Sequence, residues 1–458
     1  MKRLILAKAV IAAACIILPG LYSEAQENIS GKWNGKLELS SRNSLRIVVD
    51  IAADGKTVTL DSPDQGARGI KGFVKYLSAD SVRFTVPKIA ASFAGGLRAG
   101  QINGIFKQGS IELPLELVPG EGKRNRPQTP QAPFPYIIKE VTFANPAADA
   151  VLAGTLTLPE GFGADTPVVL MVTGSGLQNR DEELFEHRPF AVIADYLARR
   201  GIASLRYDDR GVGQSTGDPT EAKTTDFAQD AAAGVEYLRN KEGFAKTGVL
   251  GHSEGSTVAF ILGAGRNEAS RPDFIVAMGA PALRGDSILA DQSATAMRQS
   301  GVGETEIADY CRALLEFYDI VRREGVDKAD SKIDGLFAGM PEGTVYGQMK
   351  MNLHAIARSM NPWLTQFVAF SPAEVIKSAK VPAFVLYGSL DQQVRPEINM
   401  PRMQALAPGA AVKLYEGLNH PFQHAVRGDI AEYAEIEETI SPEVLSDIAD
   451  FILKVCGD

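Results

Sequence analysis

Apolar and polar positions follow two different rhythms along the chain. Over residues 28–118 they alternate or run apolar in short stretches: LRIVVDI (Leu45–Ile51), TVTL (Thr57–Leu60), SVRFTV (Ser81–Val86) and SIELPLELV (Ser110–Val118). Turn signals such as Ala53-Asp54-Gly55-Lys56 and Gln108-Gly109 separate them, so the pattern predicts a small antiparallel barrel or sandwich. Trp33, near the start of the first expected strand, is read as a core side chain closing one end of that domain. No catalytic constellation falls in this region.

From residue 136 the rhythm changes to strands alternating with helices. VVLMV (Val168–Val172) is apolar throughout, as a parallel strand covered on both faces requires. A helical pattern over 188–200, IASLRYD (Ile202–Asp208), a helical pattern over 227–238 and TGVLGHS (Thr247–Ser253) follow. FIVAMGA (Phe274–Ala280), AFVLYGS (Ala383–Ser389) and AVKLYEG (Ala411–Gly417) continue the series, and helices are expected through 403–406 and 444–455. This is an α/β sheet with crossover helices. Residues 283–379 interrupt it with helical periodicity alone (Ile307, Leu314, Leu315, Tyr318), the pattern of a lid inserted between two strands. The stretch 119–135 has five prolines among Gly, Gln, Lys and Arg and is expected to be a stiff, solvated linker.

The chain starts with Lys2 and Arg3, then an apolar run to Leu18 broken only by Lys8, then Ser23-Glu24-Ala25. Charged start, short apolar core and small-x-small site read as a signal peptide over 1–25. The run is shorter than the ~20 residues of a spanning helix. Export to the periplasm or outside the cell is expected, with lipidation at Cys15 the lesser alternative and no stable membrane insertion after cleavage.

Composition narrows the function. The 458 residues are 45% hydrophobic and 22% charged, ordinary for a globular protein. With 47 Lys+Arg against 56 Asp+Glu the net charge is −9, which does not suit a nucleic-acid binder. Three cysteines at positions 15, 311 and 456 match neither a disulfide scaffold nor a zinc pattern.

The most specific motif is Gly251-His252-Ser253-Glu254-Gly255, a G-x-S-x-G turn between an expected buried strand and a helix of small residues. There Ser253 projects at a helix N-terminus, whose amides favour developing negative charge. A serine hydroxyl needs a base, and His420, beyond the last expected strand, is the candidate. His424, four residues on, is the rival; a metal pair of the two lacks a third ligand. Asp391, just past the strand AFVLYGS, is the candidate for orienting the imidazole, and Asp286, past the preceding strand, is its rival. Backbone amides of Glu254 and of Ser175, with Gly176 as second choice, are expected to form an oxyanion hole. Arg206, Asp208, Asp209 and Arg210 are read as a structural ion-pair network beside the site. Arg180 and Asp181-Glu182-Glu183 are read either the same way or as substrate contacts.

These motifs carry a resemblance. Residues 137–458 resemble the α/β-hydrolase superfamily and are similar to exported bacterial carboxylesterases with GSGxQxRDE, RYDDRGxGxS and GHSEG. This chain has GSGLQNRDE (174–182), RYDDRGVGQS (206–215), GHSEG, YGSLDQQV and LNHPFQ, with Leu177 and Pro421 as departures. The opening GKWNGKLEL resembles the first strand of lipocalin-like domains. The first resemblance implies hydrolysis of short-acyl carboxylic esters, a small-molecule substrate, and no metal or organic cofactor. A peptidase or acyltransferase using the same Ser253–His420–Asp391 triad is the alternative, and an inert ligand-binding protein is the reading from another class.

Overall fold

The computed structural model describes residues 29–40, 43–65, 67–341 and 343–457. The expected signal peptide lies outside them. The chain divides into two compact units, one comprising residues up to 62 with 67–122, the other 63–66 with 123–458.

The first unit is a closed barrel. Its strands are β1 (Gly31–Ser40), β2 (Asn43–Ile51), β3 (Thr57–Ser62), β4 (Ala67–Leu77), β5 (Ser81–Val86), β6 (Ala91–Arg98), β7 (Gln101–Gln108) and β8 (Ile111–Pro119). Each pairs antiparallel with the next, and β8 returns to β1 through Trp33↔Pro119 and Asn34↔Val118. Of the two architectures expected, barrel and sandwich, the chain adopts the barrel. Buried and outward positions alternate along β3 and β5, as one-sided burial demands. Side chains including Val49, Leu60, Phe84, Phe93 and Ile102 fill the interior, the normal state of an eight-stranded barrel. Trp33 is buried among them, its indole N–H donating to Ile29 O at 2.8 Å.

The second unit is built on one sheet. An antiparallel hairpin, β9 (Ile137–Asn145) and β10 (Ala150–Leu158), leads into β11 (Val168–Val172), β12 (Ala203–Tyr207), β13 (Thr247–His252), β14 (Ile275–Met278), β15 (Ala383–Gly388) and β16 (Ala411–Tyr415). The order is β16-β15-β14-β13-β11-β12-β10-β9, with β11 to β16 parallel. Helices α1 (Pro189–Arg199), α2 (Thr224–Asn240) and α3 (Glu254–Ala264) make the first crossovers; α10 (Pro396–Leu406), α11 (Ile430–Tyr433) and α12 (Pro442–Gly457) close the chain. Separate apolar clusters cover the two faces of the sheet, one around Leu170 and Val249, the other around Val169 and Leu250. That is why β11 reads as an unbroken apolar run.

Chain direction selects the place for a ligand. From β11 the chain crosses to β12 on one side, and from the adjacent β13 it crosses to β14 on the other. The connections leaving the carboxyl ends of β11 and β13 therefore diverge, and the two strand ends flank a crevice.

Between β14 and β15 lies the helical insertion expected as a lid: α4 (Gly285–Gln299), α5 (Glu304–Glu324), α6 (Val326–Leu336), α7 (Thr344–Ser359), α8 (Pro362–Ala369) and α9 (Ala373–Ser378). It has its own core, including Leu314, Phe317, Ile333 and Leu353.

The stretch expected as a solvated linker differs from that reading over residues 124–128. The Arg126 guanidinium donates to the carbonyls of Phe185 at 2.9 Å, Ile436 at 2.7 Å and Ala434 at 3.1 Å. The Gln128 side-chain amide donates to Ile440 O at 2.7 Å. A polar composition reads as solvated, yet an arginine fork suits a cluster of main-chain carbonyls equally well.

Candidate active site

Ser253 stands between β13 and α3 with φ 52° and ψ −117°. Positive φ is costly for a residue with a Cβ, and the neighbourhood holds it there. Ser253 N–H donates to Met278 O at 2.8 Å, and Ser253 O accepts from Ser256 N at 3.0 Å. The flanking glycines are obligatory: a Cβ on Gly251 would lie 2.1 Å from Gly255 O, and one on Gly255 2.2 Å from Val172 O. Only bare Cα atoms let strand and helix approach this closely. The turn thus sets Ser253 at the carboxyl end of β13, beside the crevice.

His420 follows β16 on a tight loop closed by Gln423 N–H donating to Asn419 Oδ1 at 2.8 Å. Its Nδ1 lies 2.6 Å from Asp391 Oδ2, with both residues buried. The other carboxylate oxygen of Asp391 accepts from the amides of Gln393 and Val394, each at 2.8 Å. A carboxylate so held can only accept, so the proton sits on Nδ1 of His420 and Nε2 remains available as a base.

The two rivals are engaged elsewhere. Asp286 is fully buried and takes ion pairs from Arg284 and Arg322, both at 2.6 Å. Burial works to raise its pKa, and the hydrogen bonds from the two arginines outweigh it, leaving the carboxyl below its ordinary range. His424 is largely exposed and bonds to Glu438 at 2.8 Å.

Ser253, His420, Ser175, Gly176 and Glu254 all line one cavity of ≈ 590 Å³, within the size range of small-molecule sites. Lid residues Ile288, Leu289, Trp363 and Phe367 form its apolar wall. Trp363 and Phe367 stack with ring centroids 5.3 Å apart.

The loop after β11 is anchored through the charged motifs. Arg180 meets Asp208 at 2.7 Å, and Arg206 pairs with Asp181. Arg210 pairs with Asp230 at 2.7 Å. Asp209 accepts from Gln178 N at 2.8 Å and from the Thr173 hydroxyl; burial, against those hydrogen bonds, pushes its pKa up to about 8. Asp208, Asp209 and Arg206 thus hold the loop that bears Ser175 and Gly176, while Arg210 ties the loop after β12 to α2.

The sequence reading left out Trp363 and did not pair Glu182 with His252. Glu182 accepts from Gly174 N at 2.7 Å and from His252 Nδ1 at 3.0 Å. His252, treated there as merely part of the turn, makes that contact and another to His420 O at 3.2 Å. Trp363 donates from its indole N–H to Glu254 at 3.0 Å, beside the Thr224 hydroxyl at 2.6 Å. The motifs GSGLQNRDE and GHSEG contain Glu182, His252 and Glu254, but their pairing is tertiary.

A mainly parallel sheet with an antiparallel start, a strained serine turn after its third parallel strand and a histidine loop after its last together decide the architecture. The fold is that of the α/β-hydrolases. Comparison with known proteins gives three kinds of match. The family model Hydrolase_4, serine aminopeptidase S33, matches residues 186–303, a span that includes Ser253 and stops before Asp391 and His420. Esterase EstD of Thermotoga maritima is 24% identical over 271 residues, 59% of this chain and 57% of that protein. The chain thus spans a little over half the length of that curated relative. Among solved structures, the Pyrococcus furiosus esterase Pf2001 aligns over 73% of this chain and 98% of its own, at 19% identity and TM-score 0.42. A Mycobacterium smegmatis proline iminopeptidase aligns over 69% and 99%, at 16% identity and TM-score 0.43. The family model and the curated relative are both described as hydrolases, a serine aminopeptidase and an esterase.

Proposed function

We propose that the chain is a serine esterase that cleaves short-acyl carboxylic esters through an acyl-enzyme. One observation carries this reading: the strained Ser253 shares a cavity with His420, whose far nitrogen is 2.6 Å from a buried, amide-anchored Asp391. In the first step Ser253 Oγ attacks the ester carbonyl while His420 Nε2 takes its proton and passes it to the leaving alkoxide. Asp391 stabilises the imidazolium formed on the way. In the second step the same nitrogen deprotonates water, which attacks the acyl-enzyme and releases the acid and Ser253. The amides of Glu254 and Ser175 are proposed to receive the oxyanion. With a leader over 1–25, the enzyme would act in the periplasm or outside the cell.

The peptidase alternative has the name of the matched family model behind it. An aminopeptidase must also hold a free ammonium group, which calls for an available carboxylate. The carboxylates lining the cavity among the described residues are engaged: Glu182 with His252, Glu183 with Arg188 at 3.2 Å, Glu254 with Thr224 and Trp363. That arrangement favours a neutral ester.

The test is a panel of esters graded in acyl length, with amide and thioester counterparts, run on wild type and Leu289→Asn. Wild type is expected to turn over acetyl and butyryl esters well and the matched amides poorly. Polar substitution of the lid wall should lower kcat/KM for an octanoyl ester about tenfold, given ~0.8 kcal/mol per buried methylene. The acetyl ester should change by less than about threefold. Amides cleaved as fast as esters would replace the esterase reading with the peptidase one, and equal losses at every length would reduce the lid to a support of the fold.

A further inference from the structure

We infer that His252 is held as a doubly protonated imidazolium and acts as a positioning residue, clamping the main chain of the base loop at His420 to the Glu182 carboxylate and, through it, to the amide of Gly174. The inference rests on the serine-esterase reading of Ser253 and His420.

The partners of the ring decide its charge. Nδ1 of His252 is 3.0 Å from Glu182 Oε1, and the same oxygen already accepts from Gly174 N–H at 2.7 Å. That oxygen is therefore an acceptor toward both, and Nδ1 must carry a proton. Nε2 lies 3.2 Å from the carbonyl oxygen of His420, which can only accept. Both ring nitrogens need a proton at once, and the ring that has two is the cation.

His187, buried in the same unit, shows the opposite case. Its Nδ1 faces the Thr439 hydroxyl at 2.9 Å, which can donate, and its Nε2 lies 3.0 Å from both Tyr433 O, an acceptor, and the Gln423 amide nitrogen, a donor. One proton satisfies that ring, and burial lowers its pKa to about 4. For His252 burial likewise opposes the charge, but the Glu182 carboxylate, with smaller help from the His420 carbonyl and Asp391, outweighs it and raises the pKa.

The consequence is geometric. The His252 and His420 rings lie with centroids 4.6 Å apart, so the clamp fixes the base next to the serine turn. The same Glu182 oxygen restrains the loop that bears Ser175. One ion pair thus ties the base loop, the serine turn and the glycine loop together. Groups charged toward His252 are Glu182 from the loop after β11 and Asp391 from the loop after β15; His420 presents its ring and carbonyl from the loop after β16.

The sign of the pH dependence follows. A raised histidine pKa means the clamp is complete below the ordinary value near 6.5 and is lost as pH rises through the folded-state value. Three measurements test this. In ¹⁵N-histidine-labelled wild type, with the His252 signals assigned by their absence in His252→Gln, both ring nitrogens should be protonated at pH 7.5. Second, kcat of wild type on a short ester should decline on the alkaline side through one ionisation with KM unchanged. Third, His252→Gln, which keeps one donor, should lower kcat about tenfold and His252→Leu about a hundredfold, with KM within threefold and no such alkaline decline. A single protonated nitrogen at pH 7.5 overturns the charge. Equal kcat in the Gln and Leu variants, or an alkaline limb that survives in His252→Gln, overturns the positioning role. If the variants do not fold, the alkaline limb of wild-type kcat decides alone, and its absence overturns the proposal. Failure of a phosphonate to label wild-type Ser253 sinks the esterase reading instead, and leaves the protonation state to be judged from the ¹⁵N spectrum.

Discussion

Ser253→Ala is expected to yield a folded protein whose ester hydrolysis falls by about 10⁴-fold or more, the loss typical of removing an activated nucleophile. The strained turn does not depend on the hydroxyl. Its hydrogen bonds to Met278 O and from Ser256 N are made by the Ser253 main chain, and alanine meets the same φ penalty as serine. Circular dichroism and the thermal midpoint should match wild type while kcat collapses. A variant that kept more than about a tenth of wild-type kcat would show that Ser253 is not the nucleophile.

The second large effect is expected at Asp391. In Asp391→Asn the side-chain oxygen should remain on the amides of Gln393 and Val394, where Oδ1 now accepts two hydrogen bonds at 2.8 Å. The new NH₂ then faces Nδ1 of His420, which must become an acceptor. The ring proton moves to Nε2, and the base is lost with its geometry intact. A fall in kcat of about 10⁴-fold is expected. Asp286→Asn is the matched control. Its carboxylate binds Arg284 and Arg322, so the charge loss should cost about 1–3 kcal/mol of lid stability. Below the unfolding transition kcat should stay within about threefold of wild type. The reverse pattern would move the acid to the strand before the lid.

How far the site could be read in advance depended on how local each constraint is. The serine turn was legible because its demands fall within five residues: two glycines where backbones touch, a strand before and small residues after. Position past a strand end marked His420 and Asp391, and the fold brings them together as expected. Asp286, the rival past the preceding strand, is instead held by two arginines, one of them on α5, while Asp391 meets His420. The Glu182–His252 and Glu254–Trp363 contacts join residues 70 and 109 positions apart, beyond the reach of any local periodicity. In the barrel, β4, β6 and β7 went unread because Gly and charged residues interrupt their apolar rhythm. The β9–β10 hairpin is hard to read for a related reason: β9 shows most of its first half to solvent, and β10 interleaves Ala, Gly and Thr with its leucines.

The most direct measurement is labelling with a serine-directed organophosphonate, followed by mass spectrometry of the digested protein. One equivalent should be taken up, activity should fall in step with it, and the adduct should sit on the peptide that carries Ser253. An adduct on another residue, or an active enzyme that takes up none, would contradict the assignment of Ser253 as the nucleophile.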